Sequence, residues 1–108
     1  MIRIMLVDDH RLVRAGLRRV LQETADMEVI AEAGTGEEAL DLVRTTPPDI
    51  VLMDISMPGI GGLEATRRMI QRNPAIKVIV VSMHLEEPYP SRMLAAGAAG
   101  YISKDSAA

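Results

Sequence analysis

Short apolar runs alternate with amphipathic segments along the whole chain. Runs of strand length, rich in Ile, Leu, Val and Met, cover residues 2–8, 27–33, 49–54, 76–82 and 100–103. Between them, segments with a helical pattern cover 10–23, 35–46, 63–73 and 90–97. The order βαβαβαβαβ, with strands that are apolar rather than half polar, predicts a parallel sheet covered by helices on both faces.

The first predicted helix has the clearest two-sided pattern. Its apolar stripe consists of Val13, Leu17, Val20 and Leu21, and arginines lie on the opposite side. We interpret these arginines as a solvated face, with a basic docking patch as the alternative; they are Arg11, Arg14, Arg18 and Arg19. Before the second helix, Thr35 stands three residues ahead of Glu38, which is the pattern of a capping box.

Composition narrows the class of protein. The chain has 108 residues, of which 48% are hydrophobic and 25% charged, as in one soluble globular domain. It contains no cysteine, which fits a reducing compartment, and we expect a cytoplasmic location without a signal peptide. No apolar run approaches the roughly 18 residues of a membrane span. The net charge of −3 is unfavourable for direct binding to nucleic acid.

Acidic residues follow two of the predicted strands. Asp8 and Asp9 end the first strand and Asp54 ends the third, while Ser82 and Lys104 follow the fourth and fifth. In a doubly wound sheet of order 2-1-3-4-5, strands 1 and 3 are neighbours at the point where ligands bind. Three converging carboxylates repel one another, and a bound Mg²⁺ ion usually neutralises this repulsion. With a lysine added, such a pocket is suited to receiving a phosphoryl group.

Each of these residues also has a simpler interpretation. Asp9 could be only the N-cap of the next helix, Lys104 a solvated lysine, and Ser82 the end of a strand. His10 and His84 have no second histidine or cysteine at ligand spacing. We therefore interpret both histidines as rim residues without a chemical role.

Four segments resemble one known family. "LVDDH", "DIVLMDISMPGIGG", "VIVVS" and "GAAGYISKD" are similar to the receiver domain of two-component response regulators, and the similarity covers essentially the whole chain. "DDH" and "MPGIGGLEATR" resemble the NarL/FixJ-type regulators, particularly the GacA/UvrY-like group. The resemblance implies one receiver domain over residues 1–108, with a flavodoxin-like (CheY-like) five-stranded parallel sheet of order 2-1-3-4-5.

The resemblance also implies roles for individual residues. Asp54 would be the phosphoacceptor, phosphorylated by a sensor histidine kinase. Mg²⁺ would be held by Asp9 and Asp54, by Asp8 through water, and by the backbone carbonyl of Ser56.

Three further residues would respond to the phosphoryl group. Lys104 and Ser82 would contact its oxygens, and Tyr101 would follow Ser82 inward as a switch, although it could be only a half-buried aromatic residue. The implied function is a phosphorylation-controlled switch in transcription regulation. The resemblance implies no enzymatic activity beyond the phosphorylation and dephosphorylation of the domain itself.

Rival functions use similar folds. A phosphatase of the haloacid dehalogenase type needs an acid two residues after its nucleophile, where this chain has Ser56. A flavin carrier needs a phosphate-binding loop where this chain has "DDHR". A pseudo-receiver that binds partners without phosphorylation stays open as the alternative.

The family pattern continues beyond "DSAA". A fifth helix would begin about there, so we expect the chain to be a fragment whose sheet face beside the first helix is partly bare and open to self-association. The resemblance also places a helix-turn-helix DNA-binding domain beyond these residues, so DNA would be bound only through that domain.

Overall fold

Parallel strands form one sheet in the computed structural model, which describes residues 1–55, 57–82 and 89–103, without the side chains at 82, 89, 90, 93 and 103. In these ranges the strands are β1 (Ile2–Val7), β2 (Met27–Ala33), β3 (Ile50–Met53), β4 (Lys77–Ser82) and β5 (Gly100–Ser103). Their order across the sheet is β2-β1-β3-β4-β5, which confirms the predicted topology. The chain therefore reverses its direction of winding between β1 and β3.

The predicted helices are also present, with ends that differ by one or two residues. They are α1 (Arg11–Gln22), α2 (Gly36–Thr45), α3 (Gly61–Arg72) and α4 (Tyr89–Ala95). The Thr35 hydroxyl caps α2 by accepting a hydrogen bond from the Glu38 N–H at 3.1 Å, as the capping pattern predicts. In the part of the chain that the structure describes, no helix is long and apolar enough to cross a membrane.

The two faces of the sheet bury separate groups of side chains. On one face, residues of β1, β3 and β4 pack against α2 and α3. The strand residues include Met5, Val7, Val51, Met53 and Val78, and the helix residues include Leu40 and Met69. On the other face, Ile4, Leu6 and Val29 pack against Leu17 and Leu21 of α1. Because successive residues of a strand point to opposite faces, the buried part of β1, residues 4–7, is apolar at every position.

The apolar stripe predicted for α1 is only partly correct. Leu17 and Leu21 pack against the sheet, but Val20 is 63% exposed. Within the described residues α1 buries no side chain completely, and it touches the sheet mainly at β1 and β2. The periodicity identifies the apolar side of α1, whereas the position of the helix over the sheet decides which of those residues are covered.

Candidate functional site

The register of the sheet brings two acidic residues side by side. Val7 of β1 is paired with Met53 of β3, so Asp8 and Asp54 each follow the last paired residue of their strand. The Asp54 N–H donates to the Val7 carbonyl at 2.9 Å, which fixes this alignment. Both residues are only 3% exposed. The predicted meeting of strand-end carboxylates is therefore present for this pair.

The turn after β1 adds Asp9 and His10 to the pair. The His10 backbone N–H donates to Asp8 Oδ1 at 2.8 Å, and the ring nitrogen Nδ1 lies 3.0 Å from Asp8 Oδ1 and 3.0 Å from Asp9 Oδ1. The N-cap of α1 is His10, and its side chain makes no capping hydrogen bond. Asp9 is thus not the N-cap of α1. The His10 ring is 63% exposed, as expected for a rim residue, and it also lies against both carboxylates.

These side chains converge closely enough to hold a cation. Asp8, Asp9, His10 and Asp54 each offer one ligand atom, and all of these atoms lie within 4.8 Å of one another. Ligands on opposite sides of an ion are about 4.2 Å apart for bonds of about 2.1 Å, and about 4.8 Å apart for bonds of about 2.4 Å. The span of the cluster therefore fits one divalent cation, and its carboxylate oxygens are the donors that Mg²⁺ prefers.

Arg14 supports the turn that carries these acids. Its guanidinium donates to the backbone carbonyl of Asp8 and, through Nε at 3.2 Å, to Glu32 on β2. Its side chain is 17% exposed, so the interpretation of Arg14 as part of a solvated face is wrong. Arg18 also pairs with Glu32. The sequence carries no signal for this role because Glu32 is remote in the chain.

Glycines let the chain after Asp54 fold back tightly. A Cβ atom at Gly62 would lie 2.0 Å from the Asp54 carbonyl oxygen, so no larger residue fits there without movement of the backbone. Gly59 and Gly61 have φ values of 78° and 76°, which favour glycine. Glycine at these positions therefore allows the tight turn that leads into α3.

Glu37 at the start of α2 anchors this loop. Its Oε1 accepts a hydrogen bond from the Ile60 N–H at 3.3 Å, and its carboxylate occupies the space where a side chain at Gly59 would lie. The sequence offers no signal for this contact. The local signal, an acidic residue in the first turn of a helix, indicates only a favourable interaction with the helix dipole.

The remaining predicted site residues are described less completely. Ser82 is the last residue of β4, beside β3, and only its backbone is described. Tyr101 lies on β5 and is 42% exposed. Ser56, Lys104 and His84 lie outside the described residues.

Comparison with known proteins identifies the family. The response regulator receiver domain family matches residues 4–108. The chain belongs to this family.

Similar proteins agree with that assignment. The chain is 51% identical to the response regulator UvrY of Escherichia coli (strain K12) over 107 residues, which are 99% of this chain and 49% of UvrY. It is 52% identical to the response regulator GacA of Pseudomonas viridiflava over 104 residues, 96% of this chain and 49% of GacA. The chain thus spans about half the length of these curated relatives.

A solved structure shows the same fold. The crystal structure of a LuxR-family two-component response regulator from Aurantimonas sp. SI85-9A1 has a TM-score of 0.92 and 44% identity, and the match covers 96% of this chain and 74% of that one.

Receiver domains are signalling switches rather than classical enzymes, and they bind Mg²⁺ at an acidic pocket. The phosphatase and flavin-carrier alternatives are thereby excluded.

Proposed function

We propose that this domain is a switch that accepts a phosphoryl group on Asp54 from a phosphohistidine of a sensor kinase. The observation that carries the proposal is the meeting of Asp8, Asp9 and Asp54 within one ion's width at the ends of β1 and β3. A cation held in this cluster would place positive charge beside the Asp54 carboxylate, which phosphoryl transfer requires. A cytoplasmic location follows from the proposed kinase partner.

The proposed reaction is a transfer between two side chains. An oxygen of the Asp54 carboxylate forms the new P–O bond while the P–N bond of the phosphohistidine breaks, and the imidazole nitrogen keeps the electron pair. Asp9 and Asp54, the Ser56 carbonyl and, through water, Asp8 would hold Mg²⁺. The bound ion supplies positive charge against the phosphoryl oxygens. Hydrolysis of the acyl phosphate in the same pocket would return the switch to its resting state.

Residues on the next strands would read out the phosphorylated state. We assign Lys104 to pairing with the phosphoryl oxygens, because it directly follows the carboxyl end of β5. The Ser82 hydroxyl would bond the phosphoryl group, since β4 ends beside β3. Tyr101, now 42% exposed, would turn inward behind it. Phosphorylation adds about −1.5 to −2 charges and three acceptor oxygens, enough to reorient a hydroxyl or a cation within hydrogen-bond reach.

Regulation of transcription would be a property of a longer protein. UvrY and GacA are response regulators about twice as long as this chain. We propose that DNA binding belongs to a second domain, and that the phosphorylation state of the receiver controls it.

Mass spectrometry after incubation with acetyl phosphate and Mg²⁺ tests the proposal. We expect a labile phosphoryl adduct on the wild-type chain that is lost in Asp54→Asn. Asp49→Asn is the matched control, because Asp49 lies at the opposite end of β3, where its side chain is 49% exposed and accepts a hydrogen bond from the Arg3 N–H.

The outcomes separate the candidate functions. An adduct that persists in Asp54→Asn would move the acceptor to another residue. A wild-type chain that binds Mg²⁺ but takes no phosphoryl group, from acetyl phosphate or from a phosphorylated kinase, would instead support the pseudo-receiver function.

A further inference from the structure

His10 places a nitrogen atom among the oxygen ligands of the acidic pocket. We propose that His10 Nδ1 is a metal ligand, so that this pocket also binds borderline divalent cations such as Ni²⁺ and Co²⁺. The inference rests on the proposed function, because it uses the same pocket as the cation site. It assigns a role to a residue for which the sequence pattern indicates none.

The distances in the pocket match a shared coordination sphere. His10 Nδ1 lies 3.0 Å from Asp8 Oδ1 and 3.0 Å from Asp9 Oδ1. Around an ion with bonds of about 2.1 Å at right angles, neighbouring ligand atoms lie about 3.0 Å apart. A ligand atom of Asp54 completes the group within 4.8 Å. One ion can therefore bind Asp9, Asp54 and His10 Nδ1 directly, with Asp8 held through water as in the proposed site.

The backbone holds the ring in this position. His10 has an extended conformation, with φ −95° and ψ 108°, and its N–H donates to Asp8 Oδ1 at 2.8 Å. The imidazole itself is 63% exposed, so it can replace a water ligand without leaving a packed core. In the metal-bound form Nδ1 would present its lone pair and the proton would reside on Nε2.

A purely structural role for His10 makes a different prediction about metal preference. If the ring only donates a hydrogen bond to the carboxylates, all divalent cations should respond alike to its removal. A nitrogen ligand instead favours Ni²⁺ and Co²⁺ over Mg²⁺, because imidazole suits the later transition metals whereas Mg²⁺ prefers oxygen and keeps several waters. The ratio of the two affinities therefore distinguishes ligation from simple packing.

The test compares metal binding by the wild-type chain and His10→Asn. Asparagine keeps the backbone N–H and is a good N-cap, so α1 should form while the ring nitrogen is lost. Calorimetric titration should show the ratio of Ni²⁺ affinity to Mg²⁺ affinity falling at least about tenfold, since even residues that only orient a metal ligand commonly contribute that much. The visible absorption bands of bound Co²⁺ should shift as an oxygen replaces nitrogen.

Two further variants serve as controls for the titration. Asp9→Asn should weaken Mg²⁺ and Ni²⁺ together, showing that both occupy one pocket, and His84→Asn should keep the wild-type ratio. If His10→Asn does not fold by circular dichroism, His10→Gln replaces it in every titration.

The outcomes distinguish the two proposals. An unchanged affinity ratio and Co²⁺ spectrum in the His10 variant would overturn this inference alone, as would a change seen only in His84→Asn. A wild-type chain that binds neither Mg²⁺ nor Ni²⁺ would overturn the proposed cation pocket itself.

Discussion

At the scale of single residues, the pocket depends on how two buried carboxylates are kept in place. Asp8 and Asp54 are each only 3% exposed and lie at neighbouring strand ends, so their carboxylates need polar partners. Asp8 is compensated by a backbone N–H and a ring nitrogen of His10, both on its Oδ1. Arg14 adds a positive charge at the carbonyl of the same residue. Asp8 is therefore held by partners from the following turn and from α1.

Arg14→Met should weaken both the fold and the cation site. The variant removes charge-assisted hydrogen bonds worth roughly 1.5–3 kcal/mol, an upper range because the pair with Glu32 is partly exposed. We also expect about a tenfold loss of Mg²⁺ affinity, since the turn that carries the acidic ligands loses its support. Urea unfolding and calorimetric titration measure the two effects.

Arg19→Met is the matched control for this prediction. Arg19 lies on the same helix, but its side chain is 85% exposed and its ion pair with Glu23 is long, at 3.8 Å. Equal behaviour of the two variants would show that Arg14 does not position the turn.

At the scale of secondary-structure elements, α3 carries a local charge cluster on its surface. Glu64 in the first turn accepts hydrogen bonds from Arg67 and Arg68. The hydrogen bonds from Arg67 and then Arg68 lower the pKa of Glu64 from its ordinary value of 4.5 to about 2. The same pair raises the pKa of Arg67. The start of α3 is thus stabilised by charges from its own sequence.

This cluster predicts a pH dependence of stability. Because the folded-state pKa is lowered, the contribution of Glu64 is complete above about pH 4.5 and is lost as the pH falls towards about 2. Near neutral pH, the wild-type chain should unfold at a higher urea concentration than Glu64→Gln. This difference should shrink as the pH falls from about 4.5 to about 2. High salt should reduce it, because the group is on the surface.

The exposed pair of Glu23 with Arg19, at 3.8 Å, supplies the control. Glu23→Gln should show a smaller difference at every pH. A Glu64→Gln difference that stays constant from neutral pH to pH 2 would contradict the assignment to ionised Glu64.

At the scale of the whole molecule, the cation pocket lies between the ends of two strands that are far apart in sequence. β1 and β3 are adjacent in the sheet although α1, β2 and α2 separate them in the chain. Asp8, Asp9 and Asp54 therefore come together only in the folded state. A cation bound by all three must favour folding over unfolding by mass action.

Adding Mg²⁺ should accordingly raise the unfolding temperature of the wild-type chain. At a concentration of 100 times Kd the expected stabilisation is about 2.7 kcal/mol. Asp54→Asn should lose most of this increase because a ligand is missing, whereas Asp49→Asn should keep it. Differential scanning calorimetry with and without the ion measures the effect, and an equal increase in Asp54→Asn would refute the role of Asp54 as a ligand.

The sequence by itself determined the elements and the edge of the sheet at which the acids lie. Apolar runs, helical periodicity and the Thr35 cap are local features, so they predict strands and helices to within one or two residues. The placement of Asp8 and Asp54 at strand ends follows from the same pattern. The strand order came from the family resemblance and is confirmed by the sheet.

Tertiary structure alone decided what surrounds those acids. The contact of Arg14 with Glu32 joins α1 to β2, and that of Glu37 with the Ile60 N–H joins α2 to the loop before α3. The exposure of Val20 depends on how α1 lies on the sheet. No local pattern encodes these features, because each depends on the distance and rotation between elements that only packing fixes.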